Sequence, residues 1–354
     1  MVRINSISSV VAEHEVGIEE MASFLCAHAS EAAQLRLRRA LVSSGNRARY
    51  SVLPLNELAR LDGAGRRSEL YREHAVALSE HAIAGLVDLG ALRPTSISTL
   101  IFVSSTGITA PSIDTHLVRH FGLNPRCRRI PLAQLGCGGG VAAVSLAAEI
   151  VRHDPSQVVL VVSAELPSLQ LQLAEPAFPE LLAAAHFGDG AAAAVVSSDD
   201  GGAEIVGSQS VLLPETEEGG RIVFSETGLR LIASGGLPRL IRSRVRRLVD
   251  DCTSAHQLDW RTLSFFVVHP RGSGVLDAVA DGLSLARSKL GASWAAWEQT
   301  ANMVSASVYR VFAELSPSGP PEPGDVGILL AFGTGVACEM ALLRWHSAPV
   351  VFRS

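Results

Sequence analysis

Three polar side chains stand where their surroundings could turn them to chemistry: Cys137, His269 and Asn302. Cys137 lies in "PLAQLGCGGGVAAVSLAAEIV", inside a glycine cluster and just before a run of helix formers. The glycines predict a turn where the backbone approaches a neighbour closely. The helix that follows would aim its N-terminus at the sulfur, where unpaired N–H groups favour a thiolate. A small buried cysteine at a tight helix–sheet contact gives the same pattern, so this residue alone fixes no role. His269 closes the apolar stretch "SFFVVHP", after which Pro270 stops the strand and "RGSG" turns the chain into a helix. Carboxyl ends of strands are where α/β proteins gather ligands and catalytic groups. By contrast, His116, His120 and His153 read as helix-face residues, solvated or satisfied. Asn302, in "QTANMVSASV", lies near a helix start, where asparagine commonly caps. It also occupies the place in the second half of the chain that Cys137 holds in the first.

Thiol, imidazole and carboxamide together admit two chemistries: papain-like hydrolysis, or thioester exchange followed by carbon–carbon bond formation. In a hydrolase the asparagine orients the histidine. In a decarboxylating condensation the carboxamide and an imidazole N–H would hold the enolate oxygen. An aspartate would oppose both a malonyl carboxylate and the enolate, so neutral Asn302 suits condensation.

These groups need a scaffold, and the hydrophobic pattern supplies one. Short strands such as "TLIFVSS" and "QVVLVVSAE" alternate with helical segments, which predicts an α/β fold. The strands are apolar on both alternations, as expected when helices cover both faces of a sheet. The order of elements repeats: "LIFVSSTGITAPSIDTHLVRHF" and "SFFVVHPRGSGVLDAVADGL" each run strand, loop, helix. The expected division is a first half over 1–206 carrying the cysteine and a second over 207–354 carrying the histidine and asparagine. "GAAAAVVSS" with "AEIVGSQSV" would close the first half as a strand pair. "SVLLPETEEGGRIVFSETG" reads as a polar connection, and "SPSGPPEPGD" as a loop.

Composition narrows the class of partner. The chain has 354 residues, enough for a large core or two fused cores. Its formal net charge of −5 offers no general attraction for nucleic acid or anionic lipid. "LLAAAHFGDGAAAAVV" is broken by His186 and Asp189, so no stretch is fit to span a bilayer. The first residues fit neither a signal nor a transit peptide, which places the protein in the cytoplasm. The five cysteines are odd in number, scattered and without CxxC spacing, which predicts neither a disulfide framework nor a zinc site.

Taken in order, the segments "RYSVLPLNEL", "SSTGITAPSID", "IPLAQLGCGGG", "HFGDGAAAAVV", "VVHPRGSGVLD", "ANMVSAS" and "AFGTGVACE" resemble the type III polyketide synthases, the chalcone synthase-like branch of the thiolase superfamily. The resemblance covers almost the whole chain. It implies a thiolase-like fold of layered α/β/α/β/α with two duplicated halves, a homodimer, and no cofactor beyond coenzyme A thioesters as substrates. It implies that Cys137 takes an acyl starter from an acyl-CoA and that His269 and Asn302 promote malonyl-CoA decarboxylation. Phe187 of "FGDG" would lie between the CoA tunnel and the pocket, and Gly333 and Gly335 would shape the cavity beside the cysteine. A hairpin requiring positive φ would explain the same glycines. Within "QLRLRRAL", Arg39 matches a CoA-phosphate contact, beside Arg36 and Arg38. Pro167, Gln170 and Val304 fall at pocket positions where plant enzymes carry hydroxyl side chains, and Arg271 replaces a glycine common in the family. Starter choice therefore does not transfer from the plant enzymes. "PLAQLGC" is closer to bacterial members that make pyrones, resorcinols, phloroglucinol or naphthalenes. A ketoacyl synthase III-like enzyme making one condensation, a cysteine acyl hydrolase and a non-catalytic CoA-binding scaffold are the rival readings.

Overall fold

The computed structural model describes residues 1–173, 176, 178–214, 221–232, 236–315 and 319–354. The predicted α/β pattern resolves into one ten-stranded sheet. Its strands are β1 (Arg3–Val11), β2 (Thr99–Ser104), β3 (Arg128–Ala133), β4 (Val159–Glu165), β5 (Gly190–Ser197), β6 (Ala203–Leu212), β7 (Phe265–Val268), β8 (Val326–Phe332), β9 (Ala337–Trp345) and β10 (Val350–Arg353). Nine of them run in the order β7-β8-β9-β6-β1-β5-β4-β2-β3, and β10 pairs with β1. The helices that matter for the site are α1 (Ala64–Asp88), α2 (Asp114–His120), α3 (Gly139–His153), α4 (Leu237–Ser254), α5 (Ser273–Leu283) and α6 (Ser307–Glu314).

The duplication is written in the strand directions. In the first half β2 and β4 are parallel, β4 and β5 antiparallel, and β5 and β1 antiparallel. In the second, β7 and β8 are parallel, β8 and β9 antiparallel, and β9 and β6 antiparallel. Thus β1, β2, β4 and β5 correspond to β6, β7, β8 and β9, with α1, α2 and α3 matching α4, α5 and α6. This changes the place of β6. It pairs with β9 from Ala203 to Leu212 but with β1 only through Ala203 and Glu204. It therefore opens the second half rather than closing the first, and a division at 206/207 falls inside it. Of the expected polar connection, residues 215–220 lie outside the described residues; Arg221–Ser225 and Gly228–Ile232 form an antiparallel pair. In the expected loop near the end, residues 316–318 also lie outside them.

Alternating side chains of these strands feed three cores, which explains why both faces are apolar. Leu160, Val162, Ala191 and Ala193 face α1 through Leu70, Ala75 and Ala82. Val161, Ala192 and Ala194, together with Val267, Leu329 and Ala341 of the second half, enclose Ala143 and Val144 of α3 and Val308 and Phe312 of α6. Phe266, Ile328 and Met340 meet Ile241 and Val245 of α4 and Leu276 of α5. The result is five layers, α/β/α/β/α, with α3 and α6 sealed in the middle. Among the described residues no helix is long and apolar enough to cross a membrane.

Candidate active site

The middle layer places the two central helices end to end with the strand termini. A short 3-10 turn over Gly136–Gly138 carries Cys137 into α3. Glycine is required there by contact: a methyl on Gly140 would overlap the Ser305 carbonyl oxygen, which belongs to the turn before α6. Tyr309 locks the same approach by donating to the Gly140 carbonyl at 2.9 Å. Cys137 is consequently buried, at 6% exposure, against the second half of the chain.

That half delivers the other two groups. Asn302 is buried, with its Nδ2 3.6 Å and its Oδ1 3.8 Å from the Cys137 sulfur. Its backbone is tied into the first half: Asn302 donates to the His186 carbonyl, Gly188 donates back to the Asn302 carbonyl, and Phe187 forms a bridge with Asn302. The Val304 N–H donates to Asn302 Oδ1 at 2.9 Å. An N–H can only face an oxygen there, so the amide orientation follows and Nδ2 is the end left for a ligand. His269 follows β7, where its N–H bonds the Leu330 carbonyl of β8. Its ring Nε2 donates to the Val304 carbonyl at 2.7 Å, while Nδ1 is buried without a hydrogen-bond partner. A carbonyl accepts only, so Nε2 carries a proton and Nδ1 is the nitrogen available to the thiol.

Burial by itself pushes the Cys137 thiol up, but the charges of His269 and Arg271 and the Asn302 amide outweigh it, and the thiol lies below its ordinary range. Arg271 is held by two hydrogen bonds from Nη1, to the carbonyls of Phe332 at 3.1 Å and Gly333 at 3.0 Å. Gly333 has an ordinary backbone conformation, and the reason for glycine is proximity: a side chain would meet the Leu135 carbonyl oxygen at 2.6 Å. Gly335 does have positive φ, at +61°. The turn explanation therefore applies to Gly335 and not to Gly333.

The remaining expected residues divide. Phe187, Pro167 and Gln170 share a cleft with Arg49, Tyr50 and Arg230, and Cys137 is not on its wall. Gln170 spends both ends of its amide on structure, donating to the Thr106 carbonyl at 2.8 Å and accepting from the Leu229 N–H at 3.2 Å. Val304 is buried, but its backbone is what holds Asn302 and His269, in a left-handed conformation at φ +49° that β-branched residues rarely adopt. Arg39 is exposed on the helix Glu31–Val42, whereas Arg36 stacks on Phe178 and Arg38 pairs with Glu19.

Sequence reasoning gave no role to Glu165, which is completely buried at the end of β4. It accepts from the N–H groups of Ser105 and Thr106, from the Thr106 hydroxyl at 2.7 Å and from the Ser305 hydroxyl. Burial pushes its carboxyl up, and these donors oppose the shift. The carboxyl thus staples the turn beyond β2 to the turn before α6, and Ser105 in turn accepts from the Gly136 N–H at 2.9 Å. An acid ending the run "VVLVVSAE", with no route to water, was the available signal. Asp189 of "FGDG" is likewise structural: it accepts from Val52 and Ser168, while burial pushes it up to about 6.

Five layers with two central helices, and a thiol facing an imidazole and a carboxamide across their ends, define a thiolase-like fold built for acyl transfer. Profiles of the chalcone and stilbene synthases match the chain twice, the N-terminal domain at residues 48–200 and the C-terminal domain at 204–347. The chain is 33% identical over 317 residues to 1,3,6,8-tetrahydroxynaphthalene synthase of Streptomyces peucetius subsp. caesius, covering 87% of this chain and 83% of the relative. It is 29% identical over 336 residues to phloroglucinol synthase of Pseudomonas fluorescens, covering 94% and 96%. The crystal structure of 1,3,6,8-tetrahydroxynaphthalene synthase from Streptomyces coelicolor superposes with a TM-score of 0.93 at 30% identity, covering 98% of this chain and 100% of that one. The chain belongs to the chalcone and stilbene synthase family. It is a type III polyketide synthase, an acyltransferase that condenses malonyl-CoA units iteratively and cyclises the product.

Proposed function

We propose that Cys137 is the nucleophile of this synthase and that His269 and Asn302 are its acid–base and enolate-binding partners. The observation that carries the assignment is the placement of the Asn302 amide 3.6 Å from the sulfur, with a His269 nitrogen left for the same group. His269 Nδ1 takes the thiol proton, and the thiolate attacks the acyl-CoA carbonyl. The C–S bond to coenzyme A breaks, and the expelled thiolate takes up the one proton that each round consumes. Malonyl-CoA then loses carbon dioxide. The electron pair of the broken C–C bond becomes an enolate whose oxygen accepts from Asn302 Nδ2–H and from the protonated Nδ1 of His269. The enolate carbon attacks the acyl thioester and releases the Cys137 thiolate for the next round. These donors, a neutral amide and an imidazolium both fixed by Val304, suit this step because they need no reorganisation as charge moves from carboxylate to enolate.

In this reading Phe187 separates the passage for coenzyme A from the cavity, Gly333 and Gly335 shape the wall beside the thiol, and Pro167, Gln170 and Val304 set its shape. Arg39 meets a coenzyme A phosphate. The first half, with the nucleophile, and the second, with its two partners, meet at β1 and β6, and two chains form a dimer in the cytoplasm. The product is a pyrone, resorcinol, phloroglucinol or naphthalene, by likeness to the bacterial relatives. Incubation with radiolabelled malonyl-CoA and a panel of acyl-CoAs tests the reading. A labelled pyrone or phenol is expected, carried through an acyl adduct on Cys137. Turnover with no adduct on that residue would overturn the assignment.

A further inference from the structure

Three potential metal ligands that the proposed chemistry does not use converge from two helices of the first half. His116 and His120 stand four residues apart on α2, so both rings leave the same side of the helix. Their ring centroids are 5.6 Å apart and the planes 27° from parallel. Glu80 of α1 reaches between them: its Oε1 is 2.6 Å from His116 Nε2 and 3.0 Å from His120 Nδ1. All three ligand atoms lie within 4.8 Å of one another. Four-coordinate zinc with ligands at 2.0–2.1 Å would set its donors about 3.3 Å apart. The cluster is therefore near the required spacing, and half-exposed side chains can close the difference by rotation.

We propose that Glu80, His116 and His120 form a surface site for a divalent transition ion of the zinc type, with its fourth position open to water. Two imidazoles and a carboxylate are a donor set that zinc accepts and magnesium does not favour. The ion would take the place of the proton shared between His116 Nε2 and the Glu80 carboxylate, and binding would displace any proton on a ligating nitrogen to the other ring nitrogen or to solvent. The consequence is mechanical. Ser68 of α1 donates to the Ile108 carbonyl at 3.4 Å, α2 starts at Asp114, and the Ser105 hydroxyl accepts from Gly136 beside the thiol, so a bridge between the helices would brace the segment 105–113.

The test uses the full chain after treatment with chelator, titrated with zinc chloride against a chromophoric zinc indicator. Cys137 and other thiols can also take zinc, so the comparison is between wild type and the variants His116→Ala, His120→Ala and Glu80→Gln. Wild type is expected to bind one zinc with a Kd in the micromolar range. Each histidine variant should weaken that event by about tenfold or more, and magnesium chloride should not compete. Zinc should raise the melting temperature of wild type and not of the histidine variants, whose metal-free melting temperatures should stay near the wild-type value. Zinc affinity and thermal shift unchanged in His116→Ala and His120→Ala would overturn the proposal, as would a wild-type Kd above about 100 µM.

Discussion

The two halves share one topology and differ in how they build the ends of their central helices. In the first, α3 has fifteen residues and begins with glycines whose missing side chains let another helix approach. In the second, α6 has eight residues and is reached through Ala301 at φ +56° and Val304 at φ +49°, non-glycine residues held in the left-handed region. The approach to Cys137 also turns through positive φ, at Gln134 (+69°) and Gly136 (+55°), so both halves bend the backbone, and the first alone adds the removal of bulk. The difference follows from the chemistry each group needs. A sulfur near a helix N-terminus needs close packing to keep it dry and N–H groups to steady its charge. An amide must have one end fixed so that the other is free, and the turned Val304 backbone does this with its N–H while its carbonyl orients His269.

The comparison can be broken most sharply at the groups proposed to react. Cys137→Ala should abolish condensation by at least about 10³-fold and remove any acyl adduct in intact-mass measurements. Asn302→Ala should lower malonyl-CoA decarboxylation by about 10²–10³-fold yet still load an acyl group on Cys137. Equal loss of loading and decarboxylation would mean that the two halves do not divide the labour in this way.

Changes that leave the reacting atoms alone sharpen it. Gly140→Ala should force the Ser305 turn away and destabilise the fold by about 1–3 kcal/mol, visible as a lower urea midpoint with unchanged slope. Arg271→Met should give the smallest effect. Loss of the cation makes the thiolate less favourable, so the pH midpoint for iodoacetamide alkylation of Cys137 should move upward. The rate at neutral pH should fall several-fold, while Arg271→Lys keeps the charge and restores part of it. An unmoved profile in Arg271→Met would show that the cation does not act on the sulfur.

Much of this arrangement was legible in the chain. Doubly apolar strands and the repeated order of strand, loop and helix point to layers and to duplication, because alternation and helical period depend only on local geometry. Cys137 among glycines and His269 at a strand end carry their own signals. The place of β6 was not legible, since hydrogen-bond pairing over its whole length decides which half it joins. Nor was the reason for Gly333, because a backbone that must pass close to Leu135 looks in sequence like one that must turn. His116 and His120 read as solvated or satisfied, and the sequence does not name their shared partner, Glu80, which lies on another helix.

By itself the sequence determined the residue types, the periodicities and the order of the elements, all of which act over a few residues. Tertiary structure decided which nitrogen of His269 is free, which end of Asn302 faces the sulfur, and how Glu165 and Arg271 bear on the turns around Cys137. Each of those depends on a hydrogen bond or a field between groups far apart along the chain, and such distances exist only once the two halves have closed on each other.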